Sequence, residues 1–132
     1  MESKIPYSLD MARVLLVDDE SDIREAVAEA LSYEGYEVVT AGDGAEALRV
    51  CRRDHPDVIL LDLMMPGMNG WDFRRTQRIE EGISMIPVVV VSALGRVGTI
   101  DATAFLPKPF SLDELLATVR RLGGPASQPA HA

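Results

Sequence analysis

Five short runs stand out along the chain: Arg13–Val17, Glu37–Ala41, Val58–Leu61, Pro87–Val91 and Ala104–Leu106. Two of them, Val14-Leu15-Leu16-Val17 and Val58-Ile59-Leu60-Leu61, contain no polar position at all. Pro87 through Val91 is the most continuously β-branched stretch. Such runs predict strands buried on both faces of a parallel sheet.

Between the runs the apolar spacing becomes helical. Ile23, Ala26, Val27, Ala30 and Leu31 recur on one face of a helix over Ser21–Glu34, and Gly35 ends it. Asp43, followed by Glu46 three residues on, reads as the N-cap of a helix running to Asp54. Pro66, Gly67, Asn69 and Gly70 form a loop before a helix over Trp71–Glu81. Ser111 with Glu114 makes a capping box for a last helix carrying Leu112, Leu115, Leu116, Val119 and Leu122. Gly123-Gly124-Pro125 stops that helix.

Strands alternating with helices imply right-handed crossovers and an α/β doubly wound five-stranded parallel sheet with helices on both faces. The expected strand order is 2-1-3-4-5, taken from known doubly wound sheets rather than derived from this chain. One connection is too short for the pattern. Residues 93–107 alone separate Ser92 from Lys108, and the fifth strand must fit among them. Gly95, Val97, Gly98 and Thr99 make a poor helix there. The fourth helix of the pattern is therefore expected to be shortened or absent.

Composition narrows the function classes. A chain of 132 residues with 47 % hydrophobic positions is one globular domain. We place it over residues 12–123, with a leader at 1–11 and a flexible tail at 124–132. The net charge of −8 argues against non-specific binding to nucleic acid. A single cysteine, Cys51, excludes an internal disulfide and fits a reducing, cytoplasmic setting. No apolar run reaches the length of a membrane span, and residues 1–10 carry no signal-peptide pattern.

The chemistry gathers at strand ends. Asp18 and Asp19 follow the first strand and Asp62 follows the third. In a 2-1-3 order those strands are neighbours, about 5 Å apart. Ligands bind at the carboxyl edge of such sheets. Carboxylates collected there repel one another unless a cation joins them, and oxygen ligands suit Mg²⁺. The absence of a nearby His or Cys cluster argues against zinc. Ser92 ends the fourth strand, and Lys108 follows the fifth between Pro107 and Pro109. A cis peptide at Pro109 would aim the preceding side chain. Cation, ammonium, hydroxyl and nucleophilic carboxylate are the equipment for phosphoryl transfer to an aspartate.

Asp18-Asp19, Asp62 followed by Met65-Pro66-x-Met68-x-Gly70, Ser92-Ala93 and Lys108-Pro109-Phe110 together resemble the receiver domain of two-component response regulators. The resemblance covers about Val14–Leu122. It implies that Asp62 accepts phosphate from the phosphohistidine of a histidine kinase or histidine phosphotransfer protein. It implies Mg²⁺ held by Asp19, Asp62 and the backbone carbonyl of Met64, with Asp18 acting through a water. Ser92 would bond one phosphoryl oxygen and Lys108 another. Ala93 would leave room for the phosphate, and Phe105 would swing inward when Ser92 moves. Relative to the family, the distance from Ser92 to Lys108 is about one and a half helical turns short. Dimerisation through that region is therefore not expected.

A monomeric single-domain regulator follows as the expected form. It would signal by phosphorylation-dependent docking or phosphorelay, without DNA binding or membrane insertion, and its downstream target is unknown. Beyond its own phosphorylation and dephosphorylation it would not be an enzyme. Two other classes compete. A Mg²⁺-dependent phosphohydrolase would carry its nucleophile on the first strand, in an Asp-x-Asp arrangement that is missing here. An interaction module that is never phosphorylated would not need the full acidic and lysine set.

Overall fold

The computed structural model describes residues 12–65, 67–93 and 100–126. The expected leader, most of the tail, Pro66 and the segment 94–99 lie outside the described residues.

Five parallel strands form one sheet in the order β2-β1-β3-β4-β5. They are β1 (Arg13–Val17), β2 (Glu37–Ala41), β3 (Val58–Asp62), β4 (Val88–Ser92) and β5 (Ala104–Pro107). Four helices occur among the described residues: α1 (Ser21–Tyr33), α2 (Gly44–Asp54), α3 (Gly70–Ile79) and α4 (Leu112–Gly123). The doubly wound fold expected from the alternation is therefore present. Between β4 and β5, residues 100–103 are not helical. The rest of the proposed missing helix falls on 94–99, outside the described residues.

The central strands are buried because both sheet faces are covered. Ile59, Leu61, Val88 and Val90 pack against α2 and α3, around Phe73 and Leu48. Val14, Leu16, Leu60 and Val89 pack on the opposite side with Leu31, Leu115 and Val119. Cys51 is fully buried in the first of these cores, and burial pushes its thiol up to about 12.

Caps set the helix starts. The Asp43 side chain accepts from the Glu46 backbone N–H at 2.8 Å. Asn69 does the same for Asp72 at 3.0 Å, so α3 begins at Gly70, one residue before the position expected. The Ser111–Glu114 capping box forms as the sequence predicts. The first residues after α4 pack back on the sheet: Tyr36 Oη donates to the Gly124 carbonyl at 3.3 Å, and Ala126 joins the adjacent core.

Helix α1 departs from its amphipathic reading. Of the expected stripe only Leu31 is buried, and Ile23 is 38 % exposed. Leu16, Ile23, Val27, Leu60, Phe110 and Leu115 wall a cavity of about 420 Å³ that reaches Asp18, Asp62 and Lys108.

Candidate functional site

Parallel pairing carries three acids to one point. β1 pairs with β3 so that Val17 lies beside Leu61. The next residues, Asp18 and Asp62, emerge together at the carboxyl edge. Oxygens of Asp18, Asp19 and Asp62 lie within 4.8 Å of one another. Asp18 and Asp62 are buried, whereas Asp19 is exposed.

Their orientations are held by local hydrogen bonds. Asp18 Oδ1 accepts from the Glu20 N–H at 2.9 Å, and the Asp18 N–H donates to the Ala41 carbonyl at 3.1 Å. Arg24 Nη1 donates to the Asp18 carbonyl at 2.7 Å. Asp62 Oδ1 accepts from the Met64 N–H at 3.2 Å. Gly70 locks the turn after β3 through its N–H to the Leu63 carbonyl, at 3.1 Å.

Lys108 comes from the other side. Its N–H bonds the Ser92 carbonyl at 3.0 Å, continuing the β4–β5 ladder, and its peptide bond to Pro109 is cis. Lys108 Nζ stands 3.8 Å from Asp18 Oδ2 and 3.9 Å from Asp62 Oδ2. One ammonium thus faces three carboxylates. Burial raises the Asp62 carboxyl above its ordinary value; Asp18 and Asp19 add to the rise, and the Met64 N–H and Lys108 oppose it. That excess of negative charge, offered by oxygen donors alone, fits a hard divalent cation.

A cleft of about 360 Å³ opens over the cluster, lined by Asp19, Glu20, Asp62, Met64, Ala93 and Lys108. Ser92 is buried at the end of β4. Phe105 is half-buried two pairs below it, opposite Val90 on β4, and packs against the core shared with α2 and α3. The structure therefore brings together Asp18, Asp19, Asp62, Met64, Ala93 and Lys108, with Ser92 at the end of β4 and Phe105 two pairs below it on β5.

Some contributors carried no readable signal. Arg24 acts on Asp18 from one turn into α1, where an arginine on an exposed helix face looks like any other. Gly70 was legible as a turn residue, but its reason is tertiary. A Cβ there would lie 2.7 Å from Leu63 Cα and 2.8 Å from the Asp62 carbonyl oxygen.

Residues 14–120 match the family model of the response regulator receiver domain. The chain belongs to that family. Receiver relatives agree along most of its length. The response regulator MprA of Mycobacterium leprae is 43 % identical over 116 residues, covering 83 % of this chain and 50 % of that protein. MprA of Mycobacterium tuberculosis is 42 % identical over 83 % of this chain and 50 % of its own length. The chain thus spans about half the length of the curated relatives it matches. Among solved structures, the chemotaxis protein CheY4 of Vibrio cholerae superposes with a TM-score of 0.79 at 36 % identity, covering 85 % of this chain and 98 % of that one. The receiver domain of a sensor histidine kinase from Pseudomonas aeruginosa, solved with magnesium coordinated in its active-site cleft, gives 0.80 at 28 % identity over 86 % of this chain and 98 % of that one.

Proposed function

We propose that this receiver accepts a phosphoryl group on Asp62 from the phosphohistidine of a histidine kinase or histidine phosphotransfer protein, and signals by changing which proteins it docks. The observation that carries the reading is the meeting of Asp18, Asp19 and Asp62 with Lys108 beneath an open cleft. Asp18 and Asp62 are buried, and one lysine does not balance the three carboxylates, which favours a bound cation.

Asp62 is the nucleophile. Its oxygen forms the new O–P bond while the P–N bond of the donor breaks and the electron pair returns to the imidazole. Lys108, already within 4 Å of Asp62, neutralises a phosphoryl oxygen as charge builds. The Ser92 hydroxyl bonds a second oxygen, and Ala93 leaves the cleft open above it. Asp19, Asp62 and the Met64 carbonyl would hold Mg²⁺, with Asp18 beside them as an indirect contributor. The ion supplies further charge neutralisation when bound. A magnesium-bound neighbour of the same fold supports that assignment.

Phosphorylation adds nearly two negative charges at Asp62. Ser92 moves toward them, and Phe105 fills the space behind. Such a shift carries a signal only to a partner that binds the two states differently. No helix of the described residues is long and apolar enough to cross a membrane. With a net charge of −8, the chain itself is a poor non-specific ligand for nucleic acid, and we place it in the cytoplasm.

The test is intact mass after incubation with acetyl phosphate and Mg²⁺. The wild type should gain one phosphoryl group, and Asp62→Asn or a metal-chelated sample should gain none. An adduct on Asp62→Asn, or none on the wild type even with beryllofluoride as a probe, would overturn the assignment and favour a constitutive binding module.

A further inference from the structure

The cavity beside the acidic edge takes its shape from the pleat of the sheet. Side chains two positions apart along a strand share one face. Leu16 and Asp18, Leu60 and Asp62, and Val91 and Ala93 are such pairs at the ends of β1, β3 and β4, and all six line the cavity. Their common face is the one packed under α1 and α4, where Leu16, Leu60 and Val91 are buried with Leu115. Two of the three strands thus run from an apolar side chain to a carboxylate, and the third runs to the single methyl of Ala93.

The helices close the sides. Ile23 and Val27, one turn apart on α1, line the same cavity of about 420 Å³ as Phe110, just before α4, and Leu115 within it. Ile23 is 38 % exposed, so the rim is open to water. Small-molecule sites have volumes of this order, with mostly apolar walls and a few polar groups that fix orientation. The polar groups here are Asp18, Asp62 and Lys108. Asp18 and Asp62 are more than nine-tenths buried, and Lys108 Nζ comes no nearer than 3.8 Å to either. Asp19 and Glu20 add acids along the adjoining cleft. Arg24 is turned to the Asp18 carbonyl. Negative charge is therefore in excess at the polar end of an apolar chamber.

We propose that this cavity binds an amphiphilic monoamine, with its apolar body among Leu16, Val27, Leu60 and Leu115 and its ammonium beside Asp18 and Asp62. Charge complementarity selects the head group and the apolar walls select the body. A matched alcohol forfeits the ionic attraction, a matched carboxylate meets repulsion, and a small hydrophilic amine leaves the chamber unfilled. The ammonium and Mg²⁺ draw on the same carboxylates, so each weakens the other. An occupied cavity therefore holds Asp62 back from phosphoryl transfer; that consequence, unlike the binding itself, rests on the receiver reading.

The experiment is a titration of the ¹³C,¹⁵N-labelled full chain with 4-phenylbutylamine, followed by NMR in the presence of a chelator. The comparators are n-butylamine, 4-phenylbutanol and 4-phenylbutyrate. The expected result is shifts at Asp18 and Asp62, with NOEs from the phenyl ring to the methyls of Leu16, Val27 and Leu60. Each comparator should bind at least about tenfold more weakly. With the chelator left out, Mg²⁺ at tenfold its dissociation constant should weaken the amine by about tenfold. Val27→Phe, which fills the chamber, should lose about tenfold or more and keep the wild-type response to Mg²⁺. Ring NOEs to other parts of the chain, equal binding by n-butylamine or by the alcohol, or wild-type affinity in Val27→Phe overturns the site. So does an affinity that ignores Mg²⁺ in a chain whose Asp19 and Asp62 respond to the ion. Where Val27→Phe does not fold, the NOEs and the comparators decide. Saturating amine should also slow phosphorylation by acetyl phosphate, and an unchanged rate overturns the inhibition. A chain that gains no phosphoryl group with the amine left out refutes the receiver reading instead, and the cavity is still decided by the NOEs and the comparators.

Discussion

Single atoms decide how close α3 comes to the acidic edge. Gly70 N lies 3.1 Å from the Leu63 carbonyl, and a Cβ at Gly70 would meet rigid backbone rather than a flexible side chain. Gly70→Ala must push α3 away from the residues that follow Asp62. It should cost about 1–3 kcal/mol, the usual range for overpacking, read as a lower urea midpoint. Phosphoryl uptake should slow with it, because the same turn carries Met64, whose N–H orients Asp62. Wild-type stability in Gly70→Ala would show that the turn yields easily. The sequence displayed Gly70 only as one of several turn residues, since close approach to a segment seven positions away is a tertiary fact.

At the scale of elements, one amide ties α3 to the turn that follows it. Gln77 is fully buried. Its Nε2 donates to the Ile83 carbonyl at 2.6 Å and the Ile86 carbonyl at 3.3 Å, closing the turn that leads into β4. Its Oε1 accepts a hydrogen bond from Arg74 Nη1. Truncating it removes a donor from the Ile83 and Ile86 carbonyls and leaves part of a buried guanidinium unpaired. We expect Gln77→Ala to lose about 2–4 kcal/mol, with the urea m-value unchanged; a loss below about 0.5 kcal/mol would mean that water replaces the amide. A helix reading of Trp71–Glu81 gives no hint of this. In the sequence Gln77 is one polar residue among the charged positions of a helix, and only the packing of residues 80–86 beneath α3 turns it inward.

For the whole molecule, the acidic edge sets function against stability. The Asp62 carboxyl is raised by burial and by Asp18 and Asp19, so folding favours its protonated form. Without metal, that contribution is full below the ordinary carboxylate value and is lost as pH rises through the raised one. At neutral pH the Asp62 charge therefore opposes folding. Asp62→Asn should melt higher than the wild type in the presence of a chelator, and the gap should close in acid. Mg²⁺ at tenfold its dissociation constant should stabilise the wild type by about 1.4 kcal/mol, several degrees in Tm, and the variant by less. A chelated Asp62→Asn melting below the wild type would show that its carboxylate is stabilising as it stands, contrary to its electrostatics.

Local rules were enough to determine much of this protein. The β-branched runs, the helical stripes and the caps at Asp43 and Ser111 specified a doubly wound parallel sheet, because each depends on residues within one element. The ordered acids and lysine at strand ends marked the site for the same reason: a parallel sheet sends every strand's carboxyl end to one edge. Tertiary structure alone decided which stripes are covered. Leu31 anchors α1 while Ile23 stays at the surface, and Arg74 and Gln77 turn into the core under α3. Periodicity reports the face a helix offers, but coverage depends on where the next element lands, and that is set by packing between residues far apart in the chain.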